Sequence, residues 1–120
     1  MNSINLVGRL TRDPELRETK DDTKVAGMRL AIPRRPKNGD EQAPVYVDVT
    51  VFGKLAENCH EYLAKGRRIA VSGRLEYSEW TDADGGKHSK HEVIGDQVDF
   101  LDAPQNGTAA SEQEDGGESK

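Results

Sequence analysis

Between Pro44 and Gly66 the chain changes its period. Val45, Val47, Val49 and Val51 alternate with Tyr46, Asp48, Thr50 and Phe52. A β-branched residue at every second position makes this segment a strand. The valine side is expected inward, because four valines outweigh two aromatics set among polar residues. Tyr46 and Phe52 are thereby left on the wetter side, where an aromatic needs a reason. Gly53 breaks the strand. From Lys54 to Lys65 the apolar spacing lengthens to that of a helix, with Leu55, Cys59, Tyr62 and Leu63 on one stripe and Gly66 where a C′ glycine would stand.

The flanking segments are strands by the same rule. In Asn2–Leu10, Ile4, Leu6, Gly8 and Leu10 share one face, and Glu15–Thr19 reads as a short extension after a turn over Thr11–Pro14. In Lys24–Ile32, Ala26, Met28, Leu30 and Ile32 alternate with Val25, Gly27, Arg29 and Ala31, and Pro33 ends the strand. Pro33–Ala43 holds prolines, a glycine and basic residues, and is a loop. In Arg67–Tyr77 the expected inward set is Ile69, Val71, Gly73 and Leu75, and the same parity carried forward puts Trp80 outward. Thr81–Lys87, TDADGGK, has hairpin chemistry, and His88–Leu101 returns as a strand interrupted near Gly95 and Asp96. Three strands, one short helix and two more strands make an all-β chain. The order is that of the OB-fold, a five-stranded Greek-key barrel with its helix between strands three and four, which binds ligands across one outer face.

Composition sharpens this picture in two places. The formal net charge of −5 is unevenly spread. Residues 102–120 carry five acids against Lys120, a net of −4, which leaves 16 Lys+Arg against 17 Asp+Glu over residues 1–101. The chain therefore divides into an OB-fold domain over 1–101 and an acidic C-terminal tail over 102–120, expected to be disordered for want of apolar periodicity. The body is nearly neutral, so electrostatics alone will not supply affinity for a polyanion. No apolar run is long enough to span a membrane, and the start, MNSINLVGRL, lacks the pattern of a signal peptide. The single cysteine, Cys59, excludes an internal disulfide framework and fits a reducing cytoplasm. Its place on the apolar stripe makes it a core residue rather than a nucleophile.

Catalytic chemistry is hard to assemble from these residues. Gly53-Lys54 is followed by leucine, without the hydroxyl a phosphate loop uses to hold Mg²⁺. His88 and His91, three apart on a strand, face opposite sides and share no ion. No cofactor or metal is implied, and an enzyme is not expected. Binding chemistry is better represented. Of the six aromatics, Tyr62 and Phe100 are expected in the core and Tyr77 is ambiguous, whereas Tyr46, Phe52 and Trp80 all fall on the polar side of their strands. Aromatics so placed could merely cover the barrel. Three of one parity on a ligand-binding fold favour stacking on nucleobases, which is sequence-tolerant because every base has a π-face. Arg34, Arg35, Lys37, Lys54, Arg67, Arg68 and Arg74 are the candidates for phosphate contacts. An oligosaccharide site would also use aromatics, but paired polar readers are lacking.

At these residues the sequence resembles the bacterial single-stranded DNA-binding protein family. The resemblance lies in NLVGRLTRDPELR, VDVTVFGKLAENCHEYLAKG and VSGRLEYSEWTD, and runs in the family's order from Asn2 to Leu101. It implies an OB-fold homotetramer in the cytoplasm, at the nucleoid, that binds single-stranded DNA without sequence preference and protects it in replication, recombination and repair. By resemblance Trp80, Phe52 and Tyr46 are base-stacking positions and Lys54 lies near the DNA path. The family's further tryptophan, after the second strand, has no aromatic counterpart here; Arg34 and Arg35 stand in that loop. Two departures are visible. Glu76 and Glu79 flank the Trp80 strand where the family is often basic, and the tail ends EDGGESK without the phenylalanine-tipped motif that recruits replication and repair proteins. These departures keep one alternative in view, an OB-fold primosome accessory or protein-interaction module with weak or no DNA binding.

Overall fold

The valine-rich strand has neighbours on both edges. In the computed structural model, which describes residues 1–102, the elements in chain order are β1 (Ile4–Leu10), β2 (Glu15–Glu18), β3 (Lys24–Ile32), β4 (Val45–Phe52), α1 (Gly53–Tyr62), β5 (Arg68–Thr81) and β6 (Lys87–Phe100). They form one sheet in the order β1-β5-β6-β4-β3-β2, and a further β1–β3 pairing closes it. The far edge of β3 is shared, with Lys24–Gly27 pairing β2 and Leu30 and Ala31 pairing Leu10 and Arg9 of β1. β4 meets β6 in parallel at Val49↔Val93 and Thr50↔Ile94, while the other pairings are antiparallel. A five-stranded ring closed through a parallel contact, with β2 as a short annex and α1 between the third and fourth ring strands, is the OB barrel that the element order implies.

The core follows the sequence alternation inside the ring. Leu10, Met28, Leu30, Val49, Val51, Ile69, Val71 and Val93 are buried, and α1 adds Ala56, Cys59 and Leu63. Burial pushes the Cys59 thiol up to about 11, so it stays protonated and unreactive at neutral pH. Gly53 has φ +67°, a conformation that lets β4 turn at once into α1. Gly73 has a different task. A Cβ there would collide with the Ile94 carbonyl oxygen, at the point where the β5–β6 register shifts between Ser72 and Gly73. The interruption expected near Gly95 and Asp96 is this bulge: Gly73 pairs with Gly95 and Ser72 with Gln97, so Asp96 is the extra residue.

Several expectations are corrected, for one reason each. The valine face is not uniformly inward: Val49 and Val51 are fully buried, but Val45 lies at the barrel mouth and is 46% exposed. Leu75 is not a core residue, being 43% exposed, because β1 pairs with β5 only as far as Gly73 and leaves that edge open, while its cross-strand partner Val93 is buried beside β4. The Asn2 side chain extends that pairing by one step, its amide donating to the Leu75 carbonyl at 2.9 Å and accepting from the Leu75 N–H at 2.8 Å. Tyr62 and Phe100 are also exposed and lean on each other at a centroid distance of 6.5 Å instead of entering the core. The helix ends at Tyr62, not Lys65, and Leu63 is extended. Gly66 belongs to the turn after it, where Arg67 N–H donates to Ala64 and Gly66 N–H to Leu10. Strand β5 runs four residues past Tyr77, to Thr81. Asp102 is fastened to the barrel, accepting from the Arg68 N–H at 2.9 Å; the rest of the acidic tail expected over 102–120 lies outside the described residues.

Candidate nucleic-acid interface

Register places the three outward aromatics on one surface. On β4, Tyr46, Asp48, Thr50 and Phe52 point away from the core, opposite Ala31, Arg29, Gly27 and Val25 of β3. Thr50 lies beside Ile94 of β6. Across the β5–β6 hairpin the pairs Arg74↔Ile94, Glu76↔Glu92, Ser78↔Lys90 and Trp80↔His88 continue the same side. The surface therefore runs over β3, β4, β6 and β5, with Tyr46 and Phe52 on one part and Trp80 out on the hairpin. The three are 52%, 46% and 48% exposed, leaving half of each ring free to meet a ligand.

The polar groups between the rings are paired with one another. The Arg29 guanidinium lies 5.2 Å from the centre of the Tyr46 ring and donates to Asp48 Oδ1 at 3.2 Å. Lys90 Nζ is 3.6 Å from Asp48 and 3.7 Å from Glu92, and Thr50 Oγ1 donates to Glu92 at 2.8 Å. Arg74 Nε meets Glu76 at 3.0 Å. At the hairpin tip the His88 ring stacks on Trp80, 5.6 Å between centres and 19° between planes, and its Nε2 is 2.7 Å from Asp82. That contact, with N–H donors from Gly86 and Asp84, holds the Asp82 carboxyl below the usual carboxylate range. His91 turns to the other side of the hairpin and packs on Tyr77 at 4.8 Å. The two histidines thus share no site, and among the described residues no cluster of three or more His, Cys, Asp or Glu is arranged for a metal.

The basic candidates do not all gather here. Arg74 lies on the aromatic surface, and Lys54 is exposed two residues after Phe52, in the first turn of α1. Arg68 is at the opposite end of β5 from Trp80, where it and Arg9 share Asp102 at 3.9 and 3.5 Å. Arg34 and Arg68 line an open groove of about 640 Å³ with Val7, Arg9, Pro36 and Pro44. Ala31, the cross-strand neighbour of Tyr46, also borders this groove, so it joins the Tyr46 end of the aromatic surface. Arg35 and Lys37 are exposed in the same loop, where Lys37 and Asp40 exchange two backbone hydrogen bonds, and Arg67 is half-buried in the turn before β5. Arg29, which lies over the Tyr46 ring, and Lys90, which shares Asp48 with it, are not among the candidates. Arg29 had a signal: it alternates with Met28 and Leu30, and pairing its strand with the valine strand would have set it beside Tyr46 or Asp48. Lys90 had one too, since the hairpin turn over Thr81–Lys87 sets it opposite Ser78 on the Trp80 side; only its approach to Asp48 depends on the parallel β4–β6 contact.

A closed Greek-key barrel with a strip of half-exposed rings and charged side chains along one outer face is a barrel of the OB class. The chain belongs to the single-strand binding protein family, whose model matches residues 1–101. It is 42% identical over 107 residues to the single-stranded DNA-binding protein of Wolinella succinogenes, a match covering 85% of this chain and 65% of that protein. The Helicobacter pylori protein of the same name is 34% identical over 117 residues, 95% of this chain and 65% of its own length. Single-stranded DNA-binding protein 3 of Clostridium acetobutylicum is 36% identical over 116 residues, 94% of this chain and 81% of its own length. The chain thus spans just under two thirds of the first two relatives.

Proposed function

We propose that this chain binds single-stranded DNA without sequence preference and protects it during replication, recombination and repair, as a binding protein and not a catalyst. The observation that carries the reading is the common surface of Tyr46, Phe52 and Trp80, each ring about half exposed on a continuous sheet face. Bases stack on these rings at about 1–3 kcal/mol each. Arg29 and Lys90 stand between them to meet phosphates, with Arg74 and Lys54 at the margins. Arg34 and Arg68 would receive a strand that continues past Tyr46 into the neighbouring groove, with Arg35 and Lys37 in the loop that borders it and Arg67 in the turn before β5. A homotetramer is part of the proposal: Val7 on the outer side of β1 is 49% exposed and offers apolar surface for self-association, which sedimentation equilibrium tests.

The decisive experiment uses the single tryptophan. Titration with oligo-dT should quench Trp80 fluorescence stoichiometrically, and Trp80→Ala should lose affinity when binding is followed by anisotropy of labelled DNA. Unchanged fluorescence and no anisotropy gain at low salt would overturn the reading and favour a protein-interaction module, in which the same three rings would be covered by a partner.

A further inference from the structure

The surface between the rings carries cations, yet it is charge-compensated. Arg29 is held by Asp48, Lys90 by Asp48 and Glu92, and Arg74 by Glu76, so three cations meet three carboxylates. Asp48 is the hub, because it lies between Arg29 of β3 and Lys90 of β6 and approaches both. Glu92 is fixed in turn by the Thr50 hydroxyl. A phosphate approaching Arg29 or Lys90 therefore meets a carboxylate already seated on that cation. Exposed ion pairs of this kind are weakly held, and a phosphate oxygen is as good an acceptor for a guanidinium or ammonium as a carboxylate oxygen.

Resting on the reading that this face takes single-stranded DNA, we propose that Asp48 and Glu92 are internal stand-ins for phosphate. When the strand binds, its phosphates take Arg29 and Lys90 from these carboxylates, which then face solvent. The consequence lies in the ions. A single strand normally releases about 0.7 of a counterion for each phosphate neutralised. Here each exchange also frees a carboxylate, which gathers cations from solution and offsets part of that release. Binding is therefore less sensitive to salt than its number of phosphate contacts implies, and its affinity rests more on the rings. The empty face is also kept neutral, which disfavours loose, purely electrostatic capture of other polyanions.

The test is a set of Kd values for fluorescently labelled oligo-dT across a KCl series, on the full chain, with folding of each variant checked by circular dichroism. Asp48→Asn should tighten binding about three- to tenfold at low salt and steepen the slope of log K against log salt. Glu92→Gln should do the same to a smaller degree, since Lys90 keeps Asp48. Glu61→Gln, which removes an equal charge from exposed α1, should leave the slope as it is. In an Arg29→Ala, Lys90→Ala background, Asp48→Asn should do no more than Glu61→Gln. A wild-type slope in Asp48→Asn, or weaker binding by that variant, would overturn the exchange while leaving DNA binding standing. Failure of the wild-type chain to bind at the lowest salt would instead remove the reading on which the exchange rests.

Discussion

The two ends of the β5–β6 hairpin follow the same alternation and meet different fates. At the barrel end, Ile69 and Val71 are closed in by the rest of the ring and are almost wholly buried. Beyond Gly73 the same parity gives Leu75 and Tyr77, both exposed by about half, on an arm where β5 has β6 alone beside it. The difference is not in the strands themselves, which remain paired to Thr81 and Lys87. It is in whether a second layer lies across them. Hydrophobic stabilisation needs an apolar partner as well as an apolar residue. On the arm the partners are local: Tyr77 packs on His91 and Trp80 on His88. The barrel end therefore carries stability, and the arm is free to present rings to a ligand.

That contrast can be broken by measurement. Ile69→Ala should cost about 2–5 kcal/mol in urea unfolding, whereas Leu75→Ala should cost about 1 kcal/mol or less. Equal losses would show that something covers the arm in solution. Trp80→Ala should reverse the pattern, losing about 1–3 kcal/mol of affinity for oligo-dT while its unfolding midpoint stays near wild type. A Trp80→Ala protein that unfolds early would make the ring a structural residue instead.

Two smaller effects separate the regions by titration. Cys59 sits in the barrel with its thiol raised from 9.0 to about 11, so the unfolded chain ionises first as the pH rises. Its contribution to stability is whole below about pH 9 and falls away through pH 11, and alkylation by iodoacetamide at neutral pH should follow global unfolding. Asp82 sits at the arm's tip with its carboxyl lowered by the His88 contact and then by the Gly86 N–H. Its contribution is present above the ordinary carboxylate value and disappears as the pH falls through the lowered one. Asp82→Asn should quicken amide exchange at Gly85 and Gly86 and leave the Ile69 amide untouched.

Most of the fold could be read along the chain. Period two marked the ring strands, the change of period after Gly53 marked the helix, and their order pointed to the barrel. The three stacking candidates were legible for a related reason: Tyr46 and Phe52 interrupt a polar side, and Trp80 follows from parity alone. Tyr62, Phe100 and Leu75 misled because alternation and helical stripes report which residues share a side, not whether anything packs against it. Arg29 and Lys90 emerge only when the strands are paired, Arg29 across β3–β4 and Lys90 across the β5–β6 hairpin, a step that alternation within one strand does not supply.

The sequence by itself determined the strand and helix segments, the side on which each residue stands and the near-neutral charge of the body, since local backbone geometry and composition fix these. Tertiary structure alone decided which sides became core, that β5 and β6 outrun the barrel, and that Arg29 and Lys90 both reach Asp48. Those properties depend on the β3–β4 pairing, on ring closure through β1–β3 and on the parallel β4–β6 contact, which bring together residues about 20 to 45 positions apart. No local period encodes such pairings, because their free energy exists only after the loops between them have closed.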